Sequence, residues 1–185
     1  LYSELEGAAL KNIVSCLSNV KYLNHITIGL DKANKSEFIK AKKFFLNLNQ
    51  PHSVIWNDSP KMKKLDSDFK KLGIAPNQSG KGKNVWYCMG YTYSRNEAGS
   101  VALHDCDITT YNRELLARLV YPVSNPHFNY EFCKGYYPRI REGTLSGRVT
   151  RLLVTPLLKT FKKVLGHRDY IEFIDAVSYT HLTLP

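Results

Sequence analysis

Asp105 and Asp107 close the apolar run VALHDCDI, one residue apart. Carboxylates at i and i+2 of an extended segment project to the same side, so the pair can hold a hard divalent cation and leave coordination positions open for phosphate oxygens. The same pair also reads as one helix cap and one exposed carboxylate, because a further helix is expected to begin near Asn112. A second stretch, GKGKN from Gly80 to Asn84, precedes an expected helix. Its glycines permit close backbone approach and Lys81 supplies a point charge, which suits an anion at a helix N-terminus; a surface loop is the alternative. The spacing of a phosphate-binding P-loop is absent. A third stretch offers Gly147, Arg148, Val149 and Thr150. A guanidinium, a hydroxyl and free backbone N–H groups can hold a phosphate or carboxylate, while a turn glycine followed by an exposed arginine fits equally well.

The elements that must position these residues alternate along the chain. Ala9, Leu10, Ile13, Val14, Leu17 and Val20 recur at helical spacing. His25 to Leu30 is an expected strand closed by Asp31, and Asn34 with Glu37 forms a capping arrangement for a helix carrying Phe38, Ala41 and Phe45. A strand is expected over Ser53 to Trp56. Pro60 then opens a helix with Met62, Leu65, Phe69 and Leu72, and a loop starts at Gly73. Val85 to Tyr93 reads as helix and Ser100 to His104 as the strand that delivers the two aspartates. Residues 128–140 are aromatic and alternating, which suits a strand over or beside a pocket. Val149, Leu152, Leu153, Leu157 and Phe161 make a stripe expected to be core, kinked or interrupted at Pro156. The fold class is therefore α/β, with a mostly parallel sheet and helices on both faces. In such sheets ligands bind beyond the carboxyl ends of the strands, where Asp31, Asp58, Asp105 and Asp107 fall.

Composition bounds the partners. The chain has 185 residues, 43% of them hydrophobic, enough for one domain with a substantial core. No run approaches the roughly 20 apolar residues of a membrane span, and no basic-then-apolar signal opens the sequence, so no membrane partner and a cytoplasmic location are expected. Cys16, Cys88, Cys106 and Cys133 are scattered and read as free thiols. The net charge of +10 admits nucleic acid, a membrane surface or a phosphorylated small molecule. Much of it lies in Lys32, Lys35, Lys40, Lys42 and Lys43 and in Lys61, Lys63, Lys64, Lys70 and Lys71, which read as solvated helix faces. No nucleic-acid-binding motif accompanies them, so nucleic acid is not the expected partner.

LYSELEG, GLDKAN, GKGKNVW, ALHDCDI, FCKGYYPRI and GRVTRLLVTPLL, in this order, resemble the glucosyl-3-phosphoglycerate synthase family of retaining glycosyltransferases, up to about Asp175. The resemblance implies the Rossmann-like GT-A fold for residues 1–175. It implies that Leu1, Tyr2, Ser3 and Glu4 contact a nucleotide, that Asp31 reads its uracil and that Lys81 lies near the nucleotide sugar. Asp105 would lie near the ribose or sugar and Asp107 on Mg2+ or Mn2+, the two forming an Asp-x-Asp pair. Gly147, Arg148, Val149 and Thr150 would bind 3-phosphoglycerate, whose 2-hydroxyl receives the glucose. Family members are often dimers, and a homodimer is a further implied partner. The catalytic role stays unassigned, since no carboxylate is an obvious covalent nucleophile.

The chain departs from the family pattern in several places. By resemblance it lacks a first strand and a C-terminal portion carrying a metal-binding histidine, and neither His167 nor His181 has that histidine's context. Cys106 stands where relatives often carry a small apolar residue. Residues 176–185, VSYTHLTLP and the residue before it, read as a non-native tail. A fragment incomplete at both termini and inactive or nearly so by itself is therefore expected. A mannosyl-3-phosphoglycerate synthase-like enzyme, a metal-dependent nucleotidyltransferase and a basic nucleic-acid-binding module are the alternatives.

Overall fold

A computed structural model describes residues 1–76, 79–135, 140–141, 144–145, 152–153, 155–165 and 183–184. After a 3-10 turn at Tyr2–Glu6 come α1 (Ala8–Ser18), β1 (Ile26–Leu30), α2 (Lys35–Phe45), β2 (His52–Trp56) and α3 (Pro60–Lys71). They are followed by α4 (Lys81–Arg95), β3 (Val101–Ala102), α5 (Arg113–Ser124), β4 (Ile140–Arg141), β5 (Thr144–Leu145), α6 (Thr155–Leu165) and β6 (Thr183–Leu184). The α/β class follows the periodicities of the sequence.

Local chemistry sets the boundaries of the first unit. Asn34 accepts from the Glu37 amide while Glu37 Oε2 accepts from the Asn34 amide at 2.7 Å, so the expected capping box starts α2. Ser59 caps α3 from the Met62 amide, and Pro60 occupies the first turn, where its missing N–H costs nothing. Gly73 ends the segment with φ 71°, a left-handed conformation that glycine adopts freely. β1 and β2 pair in parallel, from Ile26 with His52 to Leu30 with Trp56.

The core has two parts joined by α1. Leu10 and Val14 pack with Leu30, Ala33, Ala41, Phe45 and Leu48, whereas Ile13 packs with Val20, Tyr111 and Leu116. α1 thereby ties the β1–α2 unit to α5, with the Asn12 side chain donating to the Tyr111 carbonyl at 2.9 Å.

Several expectations are corrected. The parallel sheet is smaller than the sequence suggests: β3 spans two residues and pairs antiparallel with β6, and β4 pairs antiparallel with β5. Residues 103–105 lie outside the assigned strands. Residues 128–135 form no strand, so their alternating rings cover nothing as a sheet would. Instead Phe128 packs on Tyr121 and Tyr130, and all three remain exposed. The apolar stripe is exposed at Leu152, Leu153, Leu157 and Phe161 rather than core, while Val149 lies outside the described residues. Pro156 sits in the first turn of α6, where proline begins a helix without breaking it. Thr183 and Leu184, from the stretch read as a non-native tail, pair with β3.

Candidate functional site

The carboxyl ends of β1 and β3 open onto one cavity of about 920 Å³. Its lining includes Leu1, Glu4, Asp31, Lys81, Asp105 and Asp107. Four separate stretches of sequence thus converge, and all six residues are ones singled out above. Tyr2 packs toward the core and Ser3 is exposed, and neither lines the cavity. Gly147, Arg148, Val149 and Thr150 lie outside the described residues, as do His167 and His181.

The two aspartates differ in setting. Asp105 is half-buried and its carboxylate receives the Lys81 ammonium, whereas Asp107 is exposed within a turn begun at Cys106. The extended i, i+2 geometry expected for the pair is therefore replaced by a turn. The capping alternative is also displaced, because Asn112 caps α5 by accepting from the Leu115 amide at 2.9 Å. Neither aspartate is occupied by that duty. The Lys81 ammonium balances the charge of Asp105, which leaves Asp107 as the exposed carboxylate of the pair. Among the described residues no three His, Cys, Asp or Glu side chains cluster as a complete metal cage. Two carboxylates beside open space fit a metal that takes its remaining ligands from a phosphorylated molecule. Burial pushes the Cys106 thiol between them above its ordinary value, keeping it a neutral thiol near pH 7.

Lys81 is held in place by an α4 that begins earlier than expected, at Lys81 rather than near Val85, with Gly80 as its cap residue at φ 129°. Periodicity missed this turn because Gly82 and Lys83 resemble a loop. Tertiary contacts override that weak propensity. Lys83 pairs with Asp66 of α3 at 2.5 Å, Lys70 reaches the same carboxylate at 3.0 Å and the Tyr87 hydroxyl donates to it at 2.6 Å. Burial pushes the Asp66 carboxyl up, but the hydrogen bonds from Lys83, Tyr87 and Lys70 outweigh it and hold the group well below the usual carboxylate range. Asn84 donates to the Gly29 carbonyl at 3.2 Å and accepts from Asn57 at 2.8 Å. Gly29 is needed here: a Cβ would lie 2.6 Å from Cys88 Sγ and closer still to Asn84 Oδ1. Burial pushes the Cys88 thiol up to about 11, so it is packing rather than a nucleophile.

Around Asp31 the backbone is fixed from β2. The Asn57 amide donates to the Leu30 carbonyl at 3.0 Å, and the Ala33 amide donates to Asp58 Oδ2 at 2.9 Å. Trp56 Nε1 donates to the Ala33 carbonyl at 2.7 Å. Asp58 stands out in sequence by its place after a strand, but its bond to Ala33 has no signal in sequence spacing. Asp66 carries no signal, and Lys83 and Asn84 are not marked out individually within GKGKN, since their contacts cross between elements.

Two curated proteins of one name are similar to the chain. The chain is 42% identical over 179 residues to a protein named glucosyl-3-phosphoglycerate synthase from Persephonella marina, covering 97% of this chain and 44% of that protein. It is 38% identical over 183 residues to a protein of the same name from Methanococcoides burtonii, covering 97% of this chain and 45% of that protein. The chain therefore spans less than half the length of these curated relatives. No family model matches it, and no solved structure matches it.

Proposed function

We propose, for a chain that belongs to the glucosyl-3-phosphoglycerate synthase family along nearly its whole length, that it forms the nucleotide-sugar half of a retaining glycosyltransferase. The complete enzyme would transfer glucose from a nucleotide sugar to the 2-hydroxyl of 3-phosphoglycerate. The observation that carries this reading is that Leu1, Glu4, Asp31, Lys81, Asp105 and Asp107 all line one cavity, which the ends of β1 and β3 also border.

Asp31, at the end of β1, accepts hydrogen bonds from the base, a role suited to uracil's ring N–H. Leu1 and Glu4 border the nucleoside from the turn that precedes α1. Lys81 turns its ammonium from Asp105 toward the diphosphate, giving a mobile positive charge near the breaking bond. Asp107, with Asp105 beside it, would hold Mg2+ or Mn2+, which supplies Lewis-acid neutralisation of the departing nucleoside diphosphate. Gly147, Arg148, Val149 and Thr150 receive the phosphate and carboxylate of the acceptor, presenting its hydroxyl on the face the leaving group vacates. No side chain is assigned as a covalent nucleophile.

Chemistry of this kind depends on positioning the donor, acceptor and metal together, and this chain spans less than half of its relatives' length. The chain alone is therefore expected to bind nucleotide but turn over little or nothing. The test is product analysis of the complete polypeptide with UDP-glucose, 3-phosphoglycerate and Mn2+. Release of UDP together with a glucosylated acid, lost in Asp107→Asn, is the expected result. Release of glucose 1-phosphate instead, with UMP transferred to the acceptor, identifies a nucleotidyltransferase, and unchanged turnover in the variant removes Asp107 from the metal site.

A further inference from the structure

Lys32 has φ 55°, the left-handed region that a lysine rarely enters and leaves when nothing holds it. A residue with a Cβ stays there when its surroundings over-determine the backbone, and such residues gather at binding sites. Here the surroundings are explicit. On one side of Asp31 and Lys32 the Leu30 carbonyl is bound by the Asn57 amide. On the other side Ala33, buried at 5% exposure, is gripped at both polar atoms, its N–H by Asp58 and its C=O by the Trp56 indole. Trp56 is in turn stacked on Phe38 with ring centroids 5.0 Å apart, and Asn34 is locked as the cap of α2. Asp31 is thus suspended between two anchored points.

We infer that Asp58 and Trp56 are positioning residues for the nucleobase: their clamp on Ala33 forces Lys32 into its left-handed turn and so aims Asp31 into the cavity. The inference builds on the assignment of Asp31 as the base contact. Asp58 uses a carboxylate where a neutral acceptor would reach, and a charge-assisted bond to a backbone N–H is about twice as strong as a neutral one. The clamp acts on the base and leaves the diphosphate contacts of Lys81, Asp105 and Asp107 alone. Its loss should erode discrimination between bases rather than nucleotide binding in general.

Calorimetric titration of the chain with UDP and with ADP, in the presence of Mn2+, tests this in wild type, Asp58→Ala, Asp58→Asn and Trp56→Phe. Wild type is expected to prefer UDP. Asp58→Ala should bind UDP roughly tenfold or more weakly while ADP affinity stays within about twofold, so the preference collapses. Asp58→Asn keeps an acceptor oxygen and should restore most of the preference, which a purely structural role would not require. Trp56→Phe keeps the stacking on Phe38 but loses the indole donor, and should lower the preference in the same direction even where Asp58→Ala fails to fold. Wild-type preference for UDP that survives in both Asp58→Ala and Trp56→Phe overturns the clamp. Equal binding of UDP and ADP, or no binding, by folded wild type overturns the assignment of Asp31 and the clamp with it.

Discussion

The end of β1 and the end of β3 face the same cavity but are built in opposite ways. Beyond β1, Leu30 and Ala33 have their backbone polar groups held by β2 and the residues after it, and the next helix starts on a complete capping box. Beyond β3, a two-residue strand gives way to an irregular segment and a turn, with Asp107 exposed and Asp105 held by the ammonium of a half-exposed lysine. The first arrangement is preorganised, which suits a planar base recognised by fixed geometry. The second can rearrange, which suits a diphosphate and a cation that arrive together and must exchange partners.

Both ends share one foundation, the packing of α4 on β1, and the largest effect should come from breaking it. Gly29→Ala places a methyl group against Asn84 and Cys88, and α4 must move away. A loss of about 3 kcal/mol, the upper part of the overpacking range, is expected in denaturant unfolding. Next comes Asp66→Ala, which strands Lys83, a side chain only 18% exposed, and should cost about 2 kcal/mol. The wild-type pair also sets a pH dependence. Because the folded carboxyl lies below its ordinary value, its contribution is fully present above about pH 4 and is lost as pH falls through the folded-state value. Unfolding followed from pH 6 downward should show a decline in wild type that is shallower in Asp66→Ala.

At the preorganised end, Asn34→Ala removes the capping box of α2 and should cost about 1 kcal/mol in the same unfolding measurement. The smallest effect on stability belongs to the adjustable end. Lys81→Ala breaks an ion pair whose lysine is 53% exposed and should change stability by less than about 1 kcal/mol. It should nonetheless weaken UDP binding severalfold, since the same charge is needed by the diphosphate. A stability loss in Lys81→Ala larger than that in Asn34→Ala would erase the distinction between the two ends.

The preorganised end was the more legible in sequence because its signals are local. Asn34 with Glu37, Pro60 in a first turn and the apolar runs of β1 and β2 each act within a few residues, and each appears where expected. The adjustable end was read less well for a physical reason. Whether residues 103–107 are strand or turn depends on which strands lie beside them, and a periodicity of apolar residues does not encode neighbours. The same holds for the start of α4, where Gly82 has poor intrinsic propensity and the helix is held by Asp66, Asn57 and Gly29, residues 16 or more positions away in the chain. Asp31, Lys81, Asp105 and Asp107 stand out in the sequence by type and place, whereas the bonds made by Asp58, Asp66 and Asn84 depend on which elements the fold brings together.

The central claim is that this cavity is a metal-assisted site for a nucleoside diphosphate. It is tested most directly by titrating the chain with UDP, with and without Mn2+, beside a variant carrying both Asp105→Asn and Asp107→Asn. UDP binding that strengthens at least tenfold with Mn2+ in wild type, and shows no Mn2+ dependence in the variant, is the predicted result. Identical binding in the folded variant, or none in folded wild type, would contradict it.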